Sequence, residues 1–86
     1  MKSRINKVNY RFEIQFDNKF YYKNNKRHRE KDLPAVIWES GSRVWCKNGK
    51  RHRDNGKPCC IFSDGLMYWY ENGNFIKDNK NEIKNK

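Results

Sequence analysis

The sequence predicts an all-β protein, a meander of short antiparallel β-hairpins from about two and a half 24-residue repeats behind an N-terminal capping hairpin. Three observations predict it. First, Lys26-Arg27-His28-Arg29 returns as Lys50-Arg51-His52-Arg53, and the same offset of 24 residues relates Pro34 to Pro58, Gly41 to Gly65, and Tyr21 to Trp45 and Trp69. A fixed period in this range marks stacked units that each bury a face against a neighbour. Second, Asn24-Asn25, Asn48-Gly49 and Asn72-Gly73 occupy one shared position. Asn-Gly is the strongest short hairpin signal, because both central residues of that turn need positive φ. Third, no long segment has helical periodicity, whereas residues 9–16 alternate polar and apolar.

Along the chain, Tyr10, Phe12, Ile14 and Phe16 fall on one face of a half-buried strand, and Asp17-Asn18 turns it back. Residues 1–18 are read as the capping strand region. The first repeat spans 19–42: strand Phe20-Tyr21-Tyr22, turn Asn24-Asn25, the basic tetrapeptide, an irregular link, and a strand from Pro34 to Trp38 that proline starts where no ladder donor is needed. Gly41 turns the chain again. The second repeat, 43–66, follows the same plan through Trp45, Asn48-Gly49, Asp54-Asn55-Gly56, the strand Pro58 to Phe62, and Asp64-Gly65. The third, 67–76, is half complete: Trp69 and Asn72-Gly73 are present, but Phe75-Ile76 replaces the Arg-His pair. From 77 to 86 the chain reads as a flexible tail with room for a short helix.

With 86 residues there is length for one domain. A domain of this size buries only about 60% of its unfolded surface, so the aromatic residues must supply most of the core. The formal charge of +10 favours acidic protein surfaces, nucleic acid or anionic headgroups. No stretch is apolar enough to span a bilayer, and Met1 to Lys7 lacks the apolar core of a signal peptide. Cys46, Cys59 and Cys60 form an odd set with two neighbours, which points to a reducing cytoplasm rather than a disulfide framework.

The run Trp45-Cys46-Lys47-Asn48-Gly49-Lys50-Arg51-His52, followed by Asp64-Gly65 and Tyr68-Trp69-Tyr70, resembles the MORN repeat. It is similar to the variant repeats of the form aromatic-x-x-Asn-Gly-Lys-x-His-Arg-x-x-Gly-x-Pro-Ala found in short bacterial, phage and large-virus proteins. The similarity covers residues 20–76. It implies a curved run of hairpins serving as a non-catalytic interaction scaffold. Leu33 and Lys57 before the prolines, and Asp32 in place of Gly56, depart from the pattern.

Candidate chemistry is sparse. An extended tetrapeptide places Arg27, Arg29, Arg51 and Arg53 on one face, a four-arginine cluster suited to bidentate carboxylate or phosphate binding. Lys26, Lys50 and Lys57 join these as candidate partner contacts. His28 and His52, with Tyr21, Trp45, Trp69, Pro34, Pro58, Gly41, Gly65, Gly49 and Gly73, read as positions that hold the repeats together. The histidines and cysteines include zinc ligand types, but no Cys-x-x-Cys pair exists, so no metal or cofactor is expected. Cys46 with His52 is the one nucleophile–base combination; Cys46 aligns with Tyr22 and Tyr70 and reads as filling space. The expectation is therefore no enzyme but a cytoplasmic binding module for an acidic protein surface. With the chain's size and charge, the resemblance implies a phage or viral accessory protein that inhibits a host defence or nucleic-acid-processing enzyme in the host cytoplasm. Direct binding to DNA or RNA backbones is the alternative, and attachment to a membrane surface a weaker one.

Overall fold

A computed structural model describes residues 7–83. The start of the capping region, residues 1–6, and the last residues of the tail, 84–86, lie outside the described residues. Among the described residues ten strands follow one another: β1 (Tyr10–Gln15), β2 (Asn18–Lys23), β3 (Lys26–Arg27), β4 (Val36–Ile37), β5 (Arg43–Val44), β6 (Cys46–Lys47), β7 (Lys50–Arg51), β8 (Cys60–Ile61), β9 (Met67–Glu71) and β10 (Asn74–Asp78). One short helix, α1 (Lys80–Ile83), closes the described chain. The pairing is antiparallel throughout, as the all-β meander requires. The main sheet runs β1-β2-β4-β5-β8-β9-β10, β3 adds to β2, and β6 and β7 pair separately. The molecule is long and thin, 65 × 29 × 17 Å. Its radius of gyration is 15.3 Å, against about 12 Å for a compact domain of this length.

Register builds the core. Phe20 stands opposite Val36, Val36 opposite Val44, Val44 opposite Cys60, and Cys60 opposite Tyr68. Directly opposed residues share a face, so one apolar row crosses five strands. Beside it, Ala35 and Cys59 are wholly buried at positions 24 residues apart, where only a small side chain fits. The backbone repeats the same plan. Tyr21 and Trp45 donate their N–H groups to the carbonyls of Ala35 and Cys59, at 2.8 and 2.7 Å, and Ala35 and Cys59 donate to Val44 and Tyr68.

The three turns of the repeats lie where side-chain chemistry allows positive φ. Asn48 and Gly49 have φ of 51° and 85°, Asn72 and Gly73 51° and 85°, and Asn24 and Asn25 52° and 65°. At Gly49 and Gly73 the site is also close to another chain segment. A Cβ there would lie 3.6 and 3.7 Å from the Cβ atoms of Lys26 and Lys50, so each turn rests on the lysine of the preceding hairpin.

Four expectations change. The first turn is Phe16-Asp17 (φ 51° and 67°), and Asn18 already belongs to β2. The predicted strand from Pro34 to Trp38 keeps only Val36–Ile37 in the ladder, because Trp38 leaves it for a tight turn, accepting from Gly41 N–H and donating to Ser42 O. The apolar face of β1 is more open than expected: Phe12 stacks on Tyr21 at 4.8 Å, yet Tyr10, Phe12 and Ile14 all stay exposed, and Phe16, which falls in the turn, is 90% exposed. At the other end, residues 77–79 are held rather than loose. β10 continues to Asp78, and Asn79, 4% exposed, exchanges bonds with the Met67 backbone and donates to Gly65 O.

Candidate functional site

The duplicated tetrapeptide divides into a part that fastens hairpins together and a part that faces outward. His28 belongs to the first. Its backbone N–H reaches Tyr21 O, and its Nδ1 accepts the Asn48 N–H at 2.9 Å. An accepting Nδ1 places the ring proton on Nε2, which points at Glu30 at 2.9 Å. Next to it, Gly49 donates to Arg27 O at 2.8 Å. The imidazole thus joins one hairpin's link to the next hairpin's turn. His52 repeats the arrangement with Asn72, Gly73 and Asp54. The His28 N–H donated to Glu30, with the Lys23 ammonium beside it, holds that carboxyl below its usual range. Lys47 and His52 do the same to Asp54.

Arg29 and Arg53 also belong to the fastening. Arg29 lies 3.6 Å over the Tyr21 ring and donates to Pro34 O; Arg53 lies 3.7 Å over Trp45 and donates to Pro58 O. A cation sits eight residues after each of these aromatics, and in the third copy Lys77 takes that place, 4.6 Å over Trp69. The indole N–H groups of Trp45 and Trp69 bond back to the Asp32 and Gly56 carbonyls, both at 3.0 Å. Tyr21, Trp45 and Trp69 are therefore each roofed by a cation. The small turns at Gly41 and Gly65 follow the ladder residues that Pro34 and Pro58 precede.

Asp32 ties two links together. Arg53 grips both its oxygens, at 2.8 and 3.2 Å, and Lys57 adds a contact at 3.2 Å. The Arg53 hydrogen bonds, with Lys57 assisting, take its pKa from 3.8 to about 2. A carboxyl held down in the folded state contributes stability that is complete above its unfolded pKa and lost as pH falls through the folded one. The contribution of Asp32 therefore disappears between about pH 3.8 and pH 2. Urea midpoints followed by tryptophan fluorescence will fall across this window, and Asp32→Asn will flatten that acid limb.

The expected four-arginine face does not form. Arg27 and Arg51 lie instead on the face of Phe20 and Tyr70, with their guanidiniums 5.2 and 4.1 Å over those rings. The two arginines line a recess of about 350 Å³ floored by Val36, Trp38, Val44 and Cys46. Among the described residues, the ion pairs engage Arg53 and Lys57 but leave Arg27, Arg51, Lys26 and Lys50 without a carboxylate. All four are exposed. This uncompensated edge and its apolar floor form the candidate interaction surface.

Catalytic geometry is absent from the one pair weighed for it. Both ring nitrogens of His52 are occupied by Asn72 and Asp54. Burial pushes the Cys46 thiol up to about 11. Cys60 is likewise raised, by its contact with the Cys59 thiol 3.8 Å away and by burial. Among the described residues no group of three or more His, Cys, Asp or Glu gathers at metal-binding distance. No helix in the described chain is long and apolar enough to cross a membrane.

No family model, curated protein or solved structure matches this chain. Sequence reasoning missed the acidic partners. Glu30 and Asp54 share the 24-residue offset, so a signal was present. Asp32 aligns with Gly56 and left no such trace.

Proposed function

We propose that the chain is a non-catalytic, MORN-like hairpin module that binds an acidic protein surface through Lys26, Arg27, Lys50 and Arg51. The observation that carries this reading is the pair of uncompensated arginines flanking an apolar recess that contains the partly exposed Trp38. Guanidiniums grip carboxylates bidentately. Arginine and tryptophan beside aliphatic floor atoms are the composition of interface hot spots. The family resemblance remains part of the proposal and rests on the sequence pattern. Three unpaired, buried thiols support a cytoplasmic setting. Occupying the nucleic-acid channel of a phage or virus host's enzyme is one use such a surface would serve.

Direct nucleic-acid binding is the second reading, favoured by the net charge of +10. Against base stacking stand the cations that cover Tyr21, Trp45 and Trp69. A nuclease-treated pull-down from host lysate, repeated with Arg27→Ala/Arg51→Ala, separates the two. The proposal expects one stoichiometric protein that survives nuclease and binds the double variant roughly 30-fold more weakly or worse. Loss of every partner on nuclease treatment supports the second reading, as does a log–log salt slope of about −0.9 per phosphate contact on duplex DNA.

A further inference from the structure

Among the described residues β1 is the outermost strand of the main sheet, and its edge there is poorly defended. Tyr21 donates its N–H to Ala35 and accepts at its carbonyl from His28, so both of its backbone groups point away from β1. Phe12 stands opposite Tyr21. It therefore occupies a position where β1 and β2 exchange no hydrogen bond, and its own N–H and C=O point to the open side. The Asn24 N–H to Asn9 O bond shows the complementary set, with Asn9, and by alternation Arg11 and Glu13, directed at β2. Tyr10, Phe12 and Ile14 thus have outward-pointing backbone groups and are, as whole residues, 60%, 48% and 57% exposed. The opposite edge differs. β10 carries a register break between Phe75 and Lys77, and bulges and lysines obstruct strand addition.

We infer that β1 is a self-pairing edge, on which a second copy of this chain adds its own β1 antiparallel about a two-fold axis through Phe12. The charges select that register. Phe12 then meets Phe12 of the second copy and Tyr10 meets Ile14, all with outward backbone groups. Arg11 meets Glu13 of the second copy, twice by symmetry. That pair falls at a non-hydrogen-bonded position, where side chains approach most closely. Moving the axis by one residue sets Arg11 against Arg11 or Glu13 against Glu13, like charge on like. An axis between residues opposes outward groups to inward ones and forms no ladder. Although each chain carries +10 overall, the interacting edge from Tyr10 to Gln15 is neutral.

The test is sedimentation velocity of the full chain from 10 µM to about 1 mM, with circular dichroism confirming that each variant folds. The wild type is expected to form a concentration-dependent dimer. Arg11→Glu leaves only carboxylates at the two facing positions and Glu13→Arg only guanidiniums, so each alone weakens self-association about tenfold or more. Mixed at equal concentration, the two variants restore both opposite-charge pairs and form a heterodimer. A wild type that stays monomeric to about 1 mM overturns the inference. So does an Arg11→Glu chain that dimerises as well as the wild type, or a mixture that forms no heterodimer.

Discussion

Trp45→Ala is expected to destabilise the protein by about 4 kcal/mol and lower its melting temperature by roughly 20 °C or more. Trp45 is 6% exposed and belongs to the buried cluster with Cys59 and Cys60. Truncation removes that burial, the platform beneath Arg53, and the donor to Asp32 O. A domain of this length has only about 4–13 kcal/mol in total, so the loss is a large fraction of the whole. Trp45→Phe keeps a ring beneath Arg53 and gives up the N–H, so about 1–2 kcal/mol is expected. Tyr21 already does without that donor in the first repeat. Trp69→Ala falls between them, because Trp69 is only half-buried and lies at the end of the stack. Thermal melts followed by circular dichroism check the ranking.

His28→Ala is expected to cost about 2–3 kcal/mol, or roughly 10–20 °C. The residue is buried, and its ring accepts from the Asn48 backbone while facing Glu30. Its removal leaves a cavity, an unpaired donor and a carboxylate without its closest partner. Hydrogen exchange gives a sharper readout than melting. The Asn48 and Gly49 amides lose protection in His28→Ala, whereas the Trp45 amide, bonded to Cys59 O, changes least. His28→Asn restores part of the loss, since its amide oxygen can reach the Asn48 N–H. The equivalent change at His52 costs less because that ring is more exposed, at 12% against 6% for the side chains.

Much of the fold is legible from restricted chemistry. Asn-led pairs identify turns because few residues tolerate positive φ: Asn24-Asn25, Asn48-Gly49 and Asn72-Gly73 are all hairpin turns, whereas the first turn, Phe16-Asp17, falls one residue before its Asp17-Asn18 signal. The small residues at Ala35 and Cys59 announce the tightest point of the core. Alternation is less informative. In β1 it identifies an apolar face and says nothing about what covers it, so Tyr10, Phe12 and Ile14 prove exposed. In the tetrapeptide, alternation assumes an extended chain. β3 ends at Arg27, the backbone leaves the strand at His28, and Arg29 reaches the Tyr21 ring on the opposite face. The same break sends Arg53 to Trp45 while Arg51 stays with Tyr70. Periodicity therefore identifies which residues recur, but the path of the chain after Arg27 decides which of them remain available. Lys57 illustrates the other limit: its partner Asp32 occurs once, and no repeat comparison exposes it.

The division of the four arginines into fasteners and contacts is the central claim, and paired thermal unfolding tests it most directly. Arg29→Ala/Arg53→Ala removes two ring stacks, two bonds to proline carbonyls and the grip on Asp32. About 3 kcal/mol or more is expected to go, a fall of roughly 12–25 °C. Arg27→Ala/Arg51→Ala removes only exposed cation–ring contacts, and about 1 kcal/mol is expected. A melting temperature that falls at least twice as far in the first variant as in the second is the predicted result. Equal falls, or the larger fall in Arg27→Ala/Arg51→Ala, would contradict it.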